Sequence, residues 1–321
     1  MHDPAGAGRA APVTAPRESD GAPSRRGGAL LVAMAAVLWS GGGLFARLVD
    51  TGPWTTVFWR GVFAASFMLA VLAVRHRTRV PAMFRAIGLP GLAMACCFAV
   101  ASTAFILALS HTSVANVLII LSTGPFMAGL LGWAIMGERV AERTWLAMAA
   151  ALAGTVMMVS GSWSAGTITG DLLAFFVAAV FALGAVILRR HRDVPMLPAA
   201  CLASLIAAGI AWPQAIPAAA TSRDLALLAL FGAGQLGLGL MLYTAGAPRI
   251  PVAQASLISV LESVLGPMWV WLALGEHPGA RSLTGGAVVL LALVAHTVAD
   301  LRRRGLAEAP ASQGKRSSPA A

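Results

Sequence analysis

Ten apolar runs, each close to the roughly 20 residues a helix needs to cross a hydrocarbon core, follow one another between Gly28 and Leu301. They cover 28–48, 54–74, 87–108, 114–136, 145–161, 170–189, 197–215, 225–246, 252–274 and 283–301. None carries the alternating polar face of a water-exposed helix. The pattern predicts an all-α integral membrane protein with ten transmembrane helices and no room for a separate catalytic domain. Segments 1–27 and 302–321 are polar and read as disordered cytoplasmic tails.

The composition agrees, with 58% hydrophobic and 11% charged residues, where a soluble domain carries about a quarter charged. The net charge of +10 does not imply a nucleic-acid partner, because the cations sit between the apolar runs rather than along one face. With the amino terminus inside, 19 of the 23 Lys and Arg residues fall in cytoplasmic segments. Arg47, Arg223 and Arg281 fall outside, and Arg60 lies within a span. An odd number of helices would destroy this bias, so the count of ten and an N-in, C-in topology support each other. Arg25 and Arg26 then anchor the first helix rather than mark a twin-arginine leader. Trp54, Trp163 and Trp212 fall at outer boundaries and Trp133 and Trp145 near inner ones. Scarce lysine with abundant Ala and Arg points to a GC-rich bacterial genome, and so to the cytoplasmic (inner) membrane.

The chain repeats itself. A shift of 142 sets Gly28-Ala29-Leu30-Leu31 over Gly170-Asp171-Leu172-Leu173 and pairs Gly42 with Gly184 and Arg47 with Arg189. A shift of 138 pairs Val114-Ala115-Asn116 with Val252-Ala253-Gln254, and Gly137-Glu138 with Gly275-Glu276. With five helices in each half, the two repeats are inverted relative to each other. Inverted repeats characterise secondary transporters that bind substrate near the midplane between the halves.

Motifs in both halves fit one family. They are Leu38-Trp39-Ser40-Gly41 through Phe45, Trp59-Arg60-Gly61-Val62-Phe63-Ala64, Gly124-Pro125, and Met136-Gly137-Glu138. In the second half they are Leu261-Glu262-Ser263-Val264-Leu265-Gly266-Pro267-Met268-Trp269 and Leu274-Gly275-Glu276-His277-Pro278. With these residues the chain resembles the drug/metabolite transporter (DMT) superfamily, specifically its ten-helix EamA-type carriers. Ser40 stands where that family often has Gly. The resemblance implies two EamA-like repeats, 28–162 and 168–301, and transport of small metabolites, often export of amino acids or related compounds.

Few residues inside the spans carry chemistry. Glu262 is the only acidic residue deep within one, near the middle of the ninth helix, where an ionised group costs about 3 kcal/mol or more. It is the candidate for proton coupling; the alternative is a structural pair with Arg60. Pro267 permits a kink nearby. Arg60 would bind a substrate carboxylate, snorkel outward or pair with Glu262. In the eighth helix Gly232, Gln235, Gly239, Tyr243 and Gly246 share a face, read as a cavity wall or as close glycine packing. Its repeat counterpart is the face of Cys97, Ala101 and Phe105. Trp39 would stack on substrate or pack the core. Asn116 and Gln254 hold equivalent positions at opposite mouths, as gates or as helix caps.

Other signals are weaker. Gly232, Gly234 and Gly237 spell G-x-G-x-x-G without a preceding strand, so no nucleotide site is read. Cys96, Cys97 and Cys201 lie in apolar runs without metal or redox spacing. Glu138, Glu276 and His296 lie near helix ends. No cofactor or metal is expected, and no nucleophile has a base beside it. The reading is therefore a non-enzymatic secondary transporter, exporting small molecules by alternating access with proton coupling at Glu262. Its substrate site would comprise Trp39, Arg60, Gln235, Tyr243 and Glu262, with Asn116 and Gln254 as gates. Its partners are a small-molecule substrate and the lipid bilayer, with a homodimer left open. A lipid-linked flippase and a membrane-embedded enzyme are the alternatives, and the lone Glu262 argues against the enzyme.

Overall fold

The computed structural model describes residues 25–112, 114–160, 168–275 and 279–307. The expected tails beyond these limits, Trp163 and the motif residues Glu276-His277-Pro278 lie outside the described residues. Among the described residues there are ten successive helical stretches and no strand. The first is α1 (Arg25–Trp39) with α2 (Gly42–Leu48), the second is α3 (Pro53–His76), and a short α4 (Val80–Ala86) follows. Then come α5 (Gly88–His111), α6 (Val114–Leu121) with α7 (Gly124–Met136), and α8 (Glu142–Val159). The second half has α9 (Ile168–Arg190), α10 (Met196–Ala211), and α11 (Ser222–Ala229) continuing through a π-helical stretch, Leu230–Leu238, into α12 (Gly239–Gly246). It closes with α13 (Val252–Ser259), α14 (Leu261–Leu274) and α15 (Ala280–Ala307).

By length and composition, seven stretches among the described residues are apolar enough to cross a membrane, and Met196–Ala211 and Leu283–His296 are shorter apolar helices. Exposed side chains such as Leu30, Leu69, Leu130, Phe175, Leu205 and Leu291 are apolar, as a lipid-facing surface requires. The chain is an all-α, multi-pass membrane protein.

Helix contacts obey the repeat. The second helix packs on the seventh (α3 on α10), and the fifth on the tenth (α8 on α15). The third packs on the sixth (α5 on α9), and the first on the eighth (α1 on α12). Exchanging the halves maps each of these contacts onto itself or onto another of the set, which is the signature of a pseudo-twofold axis. Small residues permit the close approaches, since apolar side chains gain little by leaving lipid for one another. A Cβ on Gly61 would stand 2.7 Å from the Ser204 carbonyl, and one on Gly154 2.8 Å from that of Gly285. A hydrogen bond of 3.0 Å between Thr144 and the His296 ring also joins α8 to α15. Val32, Met68, Met94, Leu188 and Tyr243 fill the main core, where both halves meet.

The helix breaks are where structure and sequence differ. Runs 28–48, 114–136 and 252–274 were expected to be continuous, with a kink at Pro267. Each is instead interrupted, at Ser40–Gly41, at Ser122–Thr123 and at Val260. Hydroxyl back-bonding, which bends helices, accompanies each break. Ser40 Oγ donates to the Val37 carbonyl at 2.5 Å. Ser122 Oγ donates to that of Leu118 at 2.8 Å and Thr123 Oγ1 to that of Ile120 at 2.6 Å. Ser259 Oγ reaches the Ala255 carbonyl at 3.1 Å and Ser263 Oγ that of Val260 at 2.7 Å. Consequently Glu262 sits in the first turn of α14 rather than mid-helix. The last helix also differs, running to Ala307 where 301 was expected, because a helix leaving the membrane need not end with its apolar run.

Two glycines close the half-helices. Gly137 (φ 68°) caps α7 and Gly275 (φ 71°) caps α14, both in the left-handed region that favours glycine. They are repeat mates at the shift of 138.

The α8–α15 contact yields a direct test. Gly154→Leu should cost about 1–3 kcal/mol through overpacking and lower the thermal midpoint of the detergent-solubilised protein. A midpoint equal to wild type would show that the two helices do not approach as described.

Candidate functional site

A cavity of about 160 Å³ lies between the halves. Every helical stretch except the fifth and tenth contributes to its wall. The three helix breaks and the π-helical stretch converge on it. Trp39 comes from the end of α1, Ser122 and Gly124 from the α6–α7 break, and Ser259 and Glu262 from the α13–α14 break. Gln235 comes from the π-helical stretch. π-Helical turns and broken membrane helices both tend to mark functional sites.

The polar groups on the Arg60 side are organised around Gln235. The break after Trp39 frees its carbonyl from the helical ladder, and Gln235 Nε2 donates to it at 3.0 Å. On its other side Gln235 Oε1 accepts from Arg60 NH2 at 3.1 Å. Arg60 NH1 donates to Ser102 Oγ at 3.1 Å, and the guanidinium carbon lies 4.6 Å from the Phe231 ring centroid. A planar, forked guanidinium suits this combination of hydrogen bonds and ring stacking. Beyond the break, Trp269 Nε1 donates to Ser40 Oγ at 2.7 Å, tying α14 to the first helix.

The aromatic wall is built behind this bridge. Trp39 meets Phe181 edge-on at 5.7 Å between centroids and lies 5.1 Å from Tyr243. Phe181 stacks on Phe98 at 5.0 Å. Gly239 makes room for the Trp39 indole, whose Cδ1 would lie 2.6 Å from any Cβ placed there.

Of the residues expected to form the substrate site, Trp39, Arg60, Gln235 and Glu262 line this one cavity. Tyr243 does not line it; it is fully buried one layer back, supporting Trp39, Phe98 and Phe181. Glu262 is half-buried, and Arg60 is the charge it feels across the cavity. Arg60 directs its N–H groups to Ser102 and Gln235, and among the described residues no hydrogen bond or ion pair occupies the Glu262 carboxylate. Among the described residues, an ion pair does cross between the halves elsewhere. Arg189 Nε meets Glu138 Oε1 at 3.1 Å, and Arg189 NH1 donates to the Pro248 carbonyl.

Asn116 and Gln254 stand away from the cavity wall. Asn116 Nδ2 donates to Thr112 Oγ1 at 3.1 Å and to Asp171 Oδ1 at 3.4 Å, joining α6 to the ends of α5 and α9. Gln254 is buried in the first turn of α13. Sequence reasoning missed Ser102, Phe181 and Ser122 in the wall. The repeat held a signal for two of them, since the shift of 142 places Trp39 over Phe181 and that of 138 places Ser122 over Val260, next to Glu262.

Comparison with known proteins gives the site its setting. The chain matches the model of the EamA-like transporter family over residues 26–160 and 168–297. The pseudopaline exporter of Pseudomonas aeruginosa is 25% identical over 193 residues, 59% of this chain and 67% of that protein. An uncharacterized transporter of Bacillus subtilis is 24% identical over 290 residues, 86% of this chain and 95% of its own length. A solved crystal structure with 18% identity covers 86% of this chain and 99% of its own at a TM-score of 0.72, a likeness of fold.

Replacing Gln235 tests the bridge. Gln235→Leu leaves the Trp39 carbonyl and one Arg60 amino group without partners, at about 1–3 kcal/mol for each buried group. The expected result is a lower thermal midpoint in detergent, larger than that of Gln235→Glu, which keeps the acceptor for Arg60. Equal midpoints for wild type and Gln235→Leu would remove the bridging role.

Proposed function

This chain belongs to the EamA-like transporter family, and on that premise we propose that it exports small zwitterionic metabolites, amino acids or related compounds, by alternating access. The observation that carries this reading is the placement of Arg60 and Glu262 in one cavity without a direct ion pair. Opposite charges held apart in a low-dielectric interior are costly to keep. A ligand bearing a carboxylate and an ammonium neutralises both at once. The enzyme alternative is set aside, because family and relatives are transporters.

The pseudo-twofold arrangement supports rocking of one half against the other about a central site. In this reading Asn116 at the outer mouth and Gln254 at the inner mouth serve as gates. The cations at the amino-terminal ends of the odd-numbered helices favour cytoplasmic termini, and scarce lysine with abundant Ala and Arg favours a bacterial cytoplasmic membrane. The name of the Pseudomonas aeruginosa relative favours export as the direction.

Glu262 provides the coupling. A single carboxylate holds either a proton or a substrate ammonium, so protonation from the outer, more acidic side displaces the substrate. Loss of that proton on the inner side readies the site for the next molecule. The driving force in this scheme is the proton gradient, with substrate and proton moving in opposite directions.

Metabolite profiling of the medium around cells making wild type, Glu262→Gln or neither protein checks this reading. At equal membrane levels, wild type should enrich an amino-acid-like compound outside by about tenfold over the other two. Three matching media would overturn export of common metabolites.

A further inference from the structure

A serine hydroxyl carries one proton, and in this cavity that proton is repeatedly spent on the serine's own helix. Ser259 Oγ donates to the Ala255 carbonyl at 3.1 Å and Ser263 Oγ to that of Val260 at 2.7 Å. Across the neighbouring break, Ser122 Oγ lies 2.8 Å from the Leu118 carbonyl and 3.2 Å from Thr155 Oγ1, and its one proton goes to one of these two acceptors. Each of these serines lines the cavity, as does Glu262 between the first two. A hydroxyl that has given its proton away has only lone pairs left, and an ionised carboxylate is an acceptor on every face. Glu262, Ser259 and Ser263 therefore face the cavity as acceptors, and Ser256 on the same segment is the hydroxyl there that keeps its proton.

The Arg60 end has the opposite character. NH1 and NH2 each carry two N–H groups, and one from each is engaged, by Ser102 and Gln235 respectively. Ser102 accepts from Arg60 and so keeps its own proton to donate. One cavity thus has Arg60 and Ser102 as donors and the Glu262 group as acceptors, with Trp39, Phe98 and Phe181 also in its wall.

Resting on the exporter reading above, we infer that the subsite formed by Glu262, Ser259, Ser263 and Ser122 selects a substrate ammonium that carries N–H donors, and discriminates against fully N-methylated, betaine-type compounds. A trimethylammonium has no proton to give to these acceptors. It is recognised through the faces of aromatic rings, whereas the residues flanking Glu262 in the wall are two serines and Val260. A primary ammonium has three donors, enough to meet the carboxylate and two hydroxyls together. Positive charge alone is then insufficient, and the number of N–H groups determines the rank of substrates.

Proteoliposomes containing the purified full chain, with an inward-acidic or outward-acidic gradient, test this. They are loaded with an equal mixture of the twenty common L-amino acids, and efflux is followed by mass spectrometry. The fastest compound is then compared with its N-methyl, its N,N,N-trimethyl and its desamino forms. The expected order is parent, then N-methyl, with the trimethyl and desamino forms slower by about tenfold or more. Ser259→Ala should narrow the ratio of parent to trimethyl efflux, a readout that a change in folding yield alone does not move. Trimethyl efflux as fast as that of the parent overturns the subsite while leaving the exporter reading intact. Failure of every amino acid to leave wild-type liposomes overturns both.

Discussion

A backbone carbonyl freed inside a bilayer has no water to turn to, and leaving it bare costs several kcal/mol. The break after Trp39 creates such a group in the middle of the protein, and the Gln235 amide answers it. The polar groups around Arg60 are arranged from that bond. The amide's remaining oxygen is fixed in direction and accepts from Arg60, which in turn fixes Ser102. A guanidinium held this way does not need Glu262 as a counterion, and the carboxylate is left facing the cavity. The π-helical widening at Leu230–Leu238 is what carries Gln235 to this position.

The same economy of local bonds marks the other two breaks. At these breaks a serine or threonine returns its hydroxyl to a carbonyl three or four residues back, so the bent helix keeps its carbonyls satisfied. This happens at Ser122–Thr123 and at Ser259–Ser263, one in each half, with the positive-φ glycines 137 and 275 ending the second segments in register. Half-helices joined at such points can tilt separately, which gives the two repeats hinges where they meet.

Much of this was legible in the sequence. The ten apolar runs, the paired Gly-Glu signals and the contrast of Arg60 and Glu262 with their apolar surroundings all have a direct physical meaning in a membrane. The breaks were not legible, because hydropathy is the same whether Leu38 to Phe45 forms one helix or two. Pro267 drew attention as the conspicuous helix breaker, yet the interruption lies at Val260, where serines act through hydrogen bonds that only three-dimensional contacts reveal. Tyr243 illustrates a further limit. Its helical face is shared with Gln235, but a helix face spans both cavity and core, and the π-helical stretch alters which of its residues point where. Asn116 likewise gave a register in the repeat without revealing that Thr112 and Asp171 would hold it.

Comparing repeat mates separates what the two halves share from what they do not. Trp39 and Phe181 are mates at the shift of 142, and they face each other across the pseudo-twofold axis as an aromatic pair. Shape is thus shared. Charge is not: the shift that sets Pro53 over Pro195 places Arg60 over Leu202, and that of 138 places Glu262 over Gly124 and Gln235 over Cys97. A symmetric frame gives two mirror-related conformations of similar energy, as alternating access requires. A cavity with the same chemistry on both sides of the axis would bind a polar molecule equally well in either orientation. The one-sided placement of Arg60, Gln235 and Glu262 removes that degeneracy, so that in the proposed cycle the substrate keeps one orientation while the frame around it inverts.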